Sequence, residues 1–393
     1  MVVAAAATFE IPITQFTGMN VAIPISRSIC SRTRSSLLAR STLSQCKRRH
    51  YAISAGGAPI AEVFDGRTKW LQKERAASNP SQSRQVDYLR DEVALRLCDR
   101  LLDINRSRQY PRVLDFGANA CNIARILTQP SPSTPSNPDA ADSDEVAITA
   151  PISDRIGEIT CADTSHTLLH RDASLPFNAH VNITRRVLSN PEYVPFEPET
   201  FDLAMSSLSL HWINDLPSVL KQINTCLKPD APFIAAMSGG DSLYELRGSL
   251  QLAEQERRGG IGTHTSPLAD VRDVGNLLTR AGFKLLTVDV DDIVVDYPNL
   301  LALMTDLQAM GEANAALRRD PGGLQRDVLL AAEAIYRDMY GERQEDGEVT
   351  LPATFRTIYM IGWKEGGDQP VPLERGTGQA DLTQVLGGGG RIG

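Results

Sequence analysis

Arg112-Val-Leu-Asp-Phe-Gly-Ala-Asn-Ala-Cys-Asn-Ile-Ala-Arg-Ile-Leu127 decides the fold. Val113, Leu114 and Phe116 make a short apolar run that carries one acid, Asp115, and stops at Gly117. Helical spacing then begins, with Ile123, Ile126 and Leu127 on one stripe. Strand, tight turn and helix in this order open an α/β sheet whose ligands bind outside the carboxyl ends of the strands. A helix N-terminus at such a turn offers free N–H groups to an anionic group. The alternative is an ordinary βα turn that holds no ligand.

Upstream, apolar residues recur at helical spacing through Gln85–Leu102 (Val86, Leu89, Val93, Leu95, Leu97, Leu101, Leu102), which predicts the helix that covers the sheet before its first strand. Val63–Ala77 mixes aromatic and basic residues, as a helix folded over the ligand mouth would, or a plain surface helix. Residues 1–51 differ in kind. Glu10 is their single acid and the next is Glu62, whereas Arg27, Arg32, Arg34, Arg40, Lys47, Arg48 and Arg49 lie among many Ser and Thr. That composition is expected of a mitochondrial transit peptide, with cleavage near Ala52; a basic tail for acidic partners is the other reading.

Seven of the 40 basic and one of the 48 acidic residues lie in 1–51, leaving 33 against 47, a net charge of −14. So acidic a chain is a poor nucleic-acid binder, since phosphate contacts need a basic face. Cys98, Cys121, Cys161 and Cys226 are scattered without a Cys-x-x-Cys pair, which suits a reducing compartment and argues against structural zinc.

Downstream, the Pro- and Ser-rich run after Gln129 predicts a disordered insert over about 129–154. Ile156–Asp163 is the second strand. An acid at its end accepts hydrogen bonds from ribose hydroxyls in nucleotide-binding α/β folds, which marks Asp163; capping the next helix is its alternative role. Asn182–Leu188, Phe201–Trp212 and Ala231–Met237 supply the third, fourth and fifth strands. The fourth ends beside the first, so Ser206, Ser207, His211 and Trp212 border the pocket. Asn214–Leu227 reads as a helix with Pro217 in its first turn. Ser242 and Glu245 fit a capping box. Helices at 272–281, 299–314 and 326–340, a hairpin at 284–297 with Asp289, Asp291 and Asp292 in its solvated turn, a last strand at 354–364 and a disordered tail from 365 complete the reading. His170, Asp172 and His211 have the spacing of a non-haem iron triad, but the first two fall in a surface helix, and no metal is assigned.

The opening turn resembles the first motif of class I S-adenosylmethionine-dependent methyltransferases, Asp/Glu-x-Gly-x-Gly-x-Gly. Asp115 and Gly117 match, while Asn119 and Cys121 stand at the second and third glycines. Asn tolerates positive φ next best after Gly. A strain of ~1–2 kcal/mol at the altered turn would weaken cofactor binding about ten- to thirty-fold. Asn190-Pro-Glu-Tyr-Val-Pro-Phe196 is similar to the superfamily's adenine-contacting loop, with Asn190 in place of Asp. The resemblance implies a Rossmann-like α/β fold with a mostly parallel seven-stranded sheet and an antiparallel last strand. It also implies S-adenosylmethionine as cofactor, at Asp115, Gly117, Asn119, Asp163, Asn190 and Ser206.

More specific are Met205–Pro217, Gly239-Gly-Asp-Ser-Leu-Tyr-Glu-Leu-Arg247, Leu250–Arg257, Arg280–Phe283, Asp306-Leu-Gln-Ala-Met-Gly-Glu312 and Tyr359-Met-Ile-Gly-Trp-Lys364. In this order they resemble the mitochondrial complex I assembly factor five family, over about residues 60–364. That resemblance implies a methyltransferase-fold arginine hydroxylase at the matrix face of the inner membrane. Its implied partners are the iron–sulfur subunit of the complex I quinone-binding arm and other assembly factors. The loops after the fourth and fifth strands line one rim, which places His211, Trp212, Tyr244 and Arg247 as the catalytic, client-facing set. Two alternatives stay open: a methyltransferase similar to the malonyl-carrier-protein enzymes of biotin synthesis, and a non-catalytic chaperone using the same pocket.

Overall fold

The computed structural model describes residues 51–53, 59–104, 108–129, 131–132, 148–149, 151–319, 323–344, 347–367 and 369. The expected leader lies outside these residues apart from its last position, and so does most of the expected tail. Seven strands form the main sheet: β1 (Tyr110–Phe116), β2 (Ile156–Asp163), β3 (Asn182–Val187), β4 (Leu203–Ser207), β5 (Pro232–Ser238), β6 (Phe283–Tyr297) and β7 (Val349–Lys364). Their order is β6-β7-β5-β4-β1-β2-β3, and the two-residue strand Glu342–Arg343 adds to β7. The β1–β2, β2–β3, β1–β4 and β4–β5 pairs are parallel, and β7 is antiparallel to both β5 and β6. The sheet thus has the expected class, with its last strand reversed.

Both faces are covered, as parallel sheets require. Val113, Ile159, Met205 and Ile234 enter one core beneath α3 (Tyr88–Leu102), α7 (Tyr244–Arg258), α9 (Leu300–Met310) and α10 (Arg326–Tyr340). Their strand neighbours Leu114, Ala204, Phe233 and Ala235 enter the other, against α6 (Leu216–Cys226) and α8 (Val271–Arg280). Leu89, Val93, Leu97 and Leu101 of α3 are buried as the spacing predicts, but Leu95 faces solvent. In α6, Asp215 caps the N-terminus by accepting from the Ser218 N–H, and Val219, Leu220 and Ile223 are buried.

Three expectations need correction. Residues 284–297 are no hairpin but part of one 15-residue strand, β6, with a register shift between Lys284 and Thr287. Asp289, Asp291 and Asp292 therefore sit in a strand, paired with Arg100, Arg96 and Arg356 rather than in a turn. The capping box does not form: Ser242 Oγ donates to Arg356 O, Glu245 accepts from Thr354, and left-handed Leu243 opens α7. The insert is also shorter than 129–154. Ser131–Pro132 pairs with Ile148–Thr149, and Ile152–Arg155 forms a 3-10 turn with Ile152 buried.

Candidate functional site

Gly117 ends β1 at the point where the sheet order reverses, and its φ is +73°. A Cβ there would lie 2.2 Å from Ser209 Oγ, so no other residue fits this turn without a shift. Asn119 and Cys121 follow with φ of 50° and 60°, the left-handed backbone expected where glycines would stand. The Asn119 backbone N–H donates to Asp163 Oδ2 at 3.1 Å, tying the turn to the end of β2. α4 (Asn122–Leu127) follows directly.

Helix α1 (Gly66–Ala77) lies across this edge, capped by Asp65, whose side chain accepts from the Arg67 and Thr68 N–H groups. Its N-terminal approach is pinned by Asn214, whose Oδ1 accepts from the Val63 and Phe64 N–H groups at 2.8 Å each. Lys69 and Lys73, one turn apart on one helix face, are both buried. Lys73 Nζ donates to Asp163 Oδ2 at 2.8 Å, while Asp163 Oδ1 accepts from the Ser165 N–H at 2.9 Å. Lys69 Nζ donates to Gly311 O at 2.7 Å and Glu312 Oε2 at 2.8 Å, and stands 3.7 Å from the centre of the Trp212 ring.

Two cavities result. The outer one, about 400 Å³, is lined by α1 residues Lys69, Trp70 and Lys73, and by Gly117, Asp163, Leu188, Asn190, Ser209 and Trp212. The inner one, about 340 Å³, is largely apolar (Leu89, Leu208, Leu246, Leu250, Leu307, Phe355 among others) and carries His211, Trp212, Arg90 and Glu312. Trp212 walls both. Its Nε1 donates to Glu312 Oε2 at 2.7 Å, so Trp212, Lys69 and Glu312 form the partition.

Burial alone would raise the Glu312 pKa, but the Lys69 ammonium, His211 and Arg90 overcome it and hold the carboxyl well below its usual range. Burial lowers the Lys69 pKa to about 7 against the pull of Glu312. Burial likewise lowers that of His211, against Glu312. Its Nδ1 is 3.5 Å from the Ser238 N–H, which leaves Nε2 facing Glu312 at 3.7 Å.

Among the sequence-derived residues, the structure brings Gly117, Asp163 and Asn190 to the outer cavity and His211 and Trp212 to the inner one. Asp115, Asn119 and Ser206 line neither. Ser206 is buried in β4 with an unpartnered hydroxyl. Tyr244 is exposed and stacks edge-on against Tyr340. Arg247 donates to Gly240 O and Ser242 O and lines a third pocket, which shares Leu250 and Thr263–Ser266 with the inner one but does not reach His211 or Trp212. The structure therefore does not place Tyr244 and Arg247 with His211 and Trp212: α7 turns Leu243 and Leu246, rather than those two, toward the inner cavity. His170, Asp172 and His211 do not assemble either. Asp172 is taken by Arg84 and Arg171, and no group of three potential metal ligands occurs among the described residues. Not singled out as site residues were Lys69 and Lys73, which lay within the Val63–Ala77 segment, Glu312, which appeared only inside a motif, and Arg90.

Asp115 is buried behind the turn with Oδ1 unpartnered. Burial, then the nearby Asp163, push its pKa up to about 8. The folded state thus holds this proton between about pH 4 and 8 while the unfolded chain releases it, so its contribution to stability is lost as pH rises through that window. Asp115→Asn should remove this loss. The unfolding free energy of wild type relative to the variant should fall by about a few kcal/mol between pH 6 and pH 9, read from denaturant unfolding. A constant difference would show that Asp115 is already ionised at pH 6.

A strand order that reverses beside β1, a glycine turn there and an acid at the end of β2 define a class I methyltransferase fold. Residues 145–235 match the family model of a methyltransferase domain. The chain is 45% identical over 326 residues to the mitochondrial arginine-hydroxylase NDUFAF5 of Danio rerio, covering 82% of this chain and 90% of that one. It is equally 45% identical over 323 residues to the Homo sapiens protein of that name, covering 82% and 83%. A more distant relative is the malonyl-[acyl-carrier protein] O-methyltransferase of Halorhodospira halophila, 30% identical over 286 residues and covering 72% and 83%. The chain belongs to the mitochondrial NDUFAF5 arginine-hydroxylase family.

Proposed function

We propose that the chain hydroxylates an arginine side chain of the iron–sulfur subunit in the quinone-binding arm of complex I. It does so as an assembly factor in the mitochondrial matrix, peripheral on the inner membrane and alongside other assembly factors. The observation that carries the reading is the inner cavity, where an apolar sleeve suited to an arginine stem ends at a carboxylate kept ionised by its surroundings. Relatives that cover most of the chain carry the arginine-hydroxylase name, which supports the same reaction.

S-adenosylmethionine fits the outer cavity. A Cβ at Gly117 would fill its cradle, and Asp163 Oδ1 accepts one hydrogen bond among the described residues, leaving a lone pair for a ribose hydroxyl. Asp163 would hold the ribose, Asn190 the adenine side and the Gly117 turn the methionyl end. When bound, the cofactor supplies a sulfonium-linked methyl group. His211, neutral at physiological pH, and Trp212 shape the inner wall, while Lys69 and Glu312 keep the two cavities apart. The client arginine peptide, analysed by mass from mitochondria with and without this chain, tests the reading. The gain of one oxygen atom supports it, the gain of one methylene supports a methyltransferase, and an unchanged mass supports a chaperone.

A further inference from the structure

Two cations, Lys69 and Arg90, converge on the single carboxylate of Glu312. Lys69 and Trp212 bond Oε2, Arg90 reaches Oε1 at 3.3 Å, and His211 faces the group. Arg90 has a second acid, Asp87, at 3.6 Å on its own helix. Lys69 has one acid, Glu312, among the described residues, with the Gly311 carbonyl and the face of the Trp212 ring as its other partners. Glu312 is the most open member of its ion pairs, its side chain 18% accessible against 9% for Lys69 and 4% for Arg90, and it lines the inner cavity. We infer that Glu312 is the guanidinium anchor of the inner cavity and that Lys69 is a resident cation which an incoming arginine side chain displaces from it.

This deepens the proposed function and rests on it for the identity of the client. The exchange conserves charge. A planar guanidinium brings two parallel N–H donors to a carboxylate, which an ammonium cannot match. The leaving Lys69 sheds its proton to solvent, because its pKa already stands at about 7. The charged groups that face Lys69 are Lys73 on α1, Arg90 on α3, His211 after β4 and Glu312 after α9, with Asp163 behind Lys73. Arg90 and Lys73 both push against its charge, so departure of the proton relieves them as well. Below the Lys69 pKa binding then releases one proton, and affinity must fall as pH drops.

The test is calorimetry on the full chain with N-butylguanidinium, and with N-butylurea as its uncharged isostere. Wild type should bind the cation and not the urea. Affinity should fall about tenfold per pH unit below about pH 7 and stay level above it. Glu312→Gln should weaken cation binding at least about tenfold. Lys69→Met, which needs no loss of function to be read, should strengthen it about tenfold at pH 6 and abolish the pH slope. Equal affinity in wild type and Glu312→Gln overturns the anchor, and a slope retained in Lys69→Met overturns the displacement. Either failure, with the client arginine still gaining oxygen in mitochondria, leaves the proposed function standing. A client arginine of unchanged mass, with the Glu312 and Lys69 variants behaving as expected, removes the hydroxylase reading and keeps the guanidinium site.

Discussion

Asp163→Ala should abolish S-adenosylmethionine binding, with affinity reduced about a hundredfold or more. Hydrogen bonds from hydroxyls to a carboxylate contribute about 1.5–3 kcal/mol, and Asp163 also holds the Asn119 N–H that shapes the turn. The single variant carries a second cost, because Lys73 loses its acid while still buried. Pairing it with Lys73→Met separates the two effects. The double variant should recover much of the melting temperature and none of the binding. Calorimetry giving wild-type affinity in either variant would remove Asp163 from the cofactor site.

The largest effect on stability is expected at Arg171. Its side chain is fully buried and bonds Asp87, Asp172 at 2.6 Å and Ser83 Oγ at 2.7 Å, with both acids 2% exposed. Arg171→Leu would leave two buried carboxylates that share Arg84, Arg90 and Arg125 at their periphery. Breaking such a pair from one side costs about 3–5 kcal/mol, and the melting temperature should drop by about 10 °C. A loss near that of an ordinary surface substitution, within about 0.5 kcal/mol, would mean that water reaches the pair.

How much of this could be read from the chain alone follows from how local each signal was. The Arg112–Leu127 unit was readable because strand, glycine and helical stripe are contiguous, and the left-handed backbone at Asn119 followed from the missing glycine, whereas that at Cys121 was not foreseen because the residue type does not favour it. Asp163 was readable because its place at the end of β2 is a property of the fold. The hairpin at 284–297 failed because three aspartates resemble a turn. In β6 they are instead held extended by arginines on α3 and β7. Glu312 appeared only inside a family motif. Its role depends on Lys69, 243 residues away in sequence, just as Asp163 depends on Lys73, 90 residues away. Nothing in a local window pairs such residues. The one local hint was the mixture of basic and aromatic residues in Val63–Ala77, here the helix over the outer cavity. Tyr244 and Arg247 were grouped with His211 because their loops share a rim, but loop placement does not fix which way a helix face turns.

The most direct test of two cavities with separate tasks is a structure of the full chain with S-adenosylmethionine and an arginine-bearing client peptide. The account predicts the adenosyl group against Asp163 and Asn190, the arginine stem in the inner cavity, its guanidinium on Glu312, and Lys69 displaced from that carboxylate. An arginine side chain lodged in the outer cavity against Asp163, with Lys69 still seated on Glu312, would contradict it.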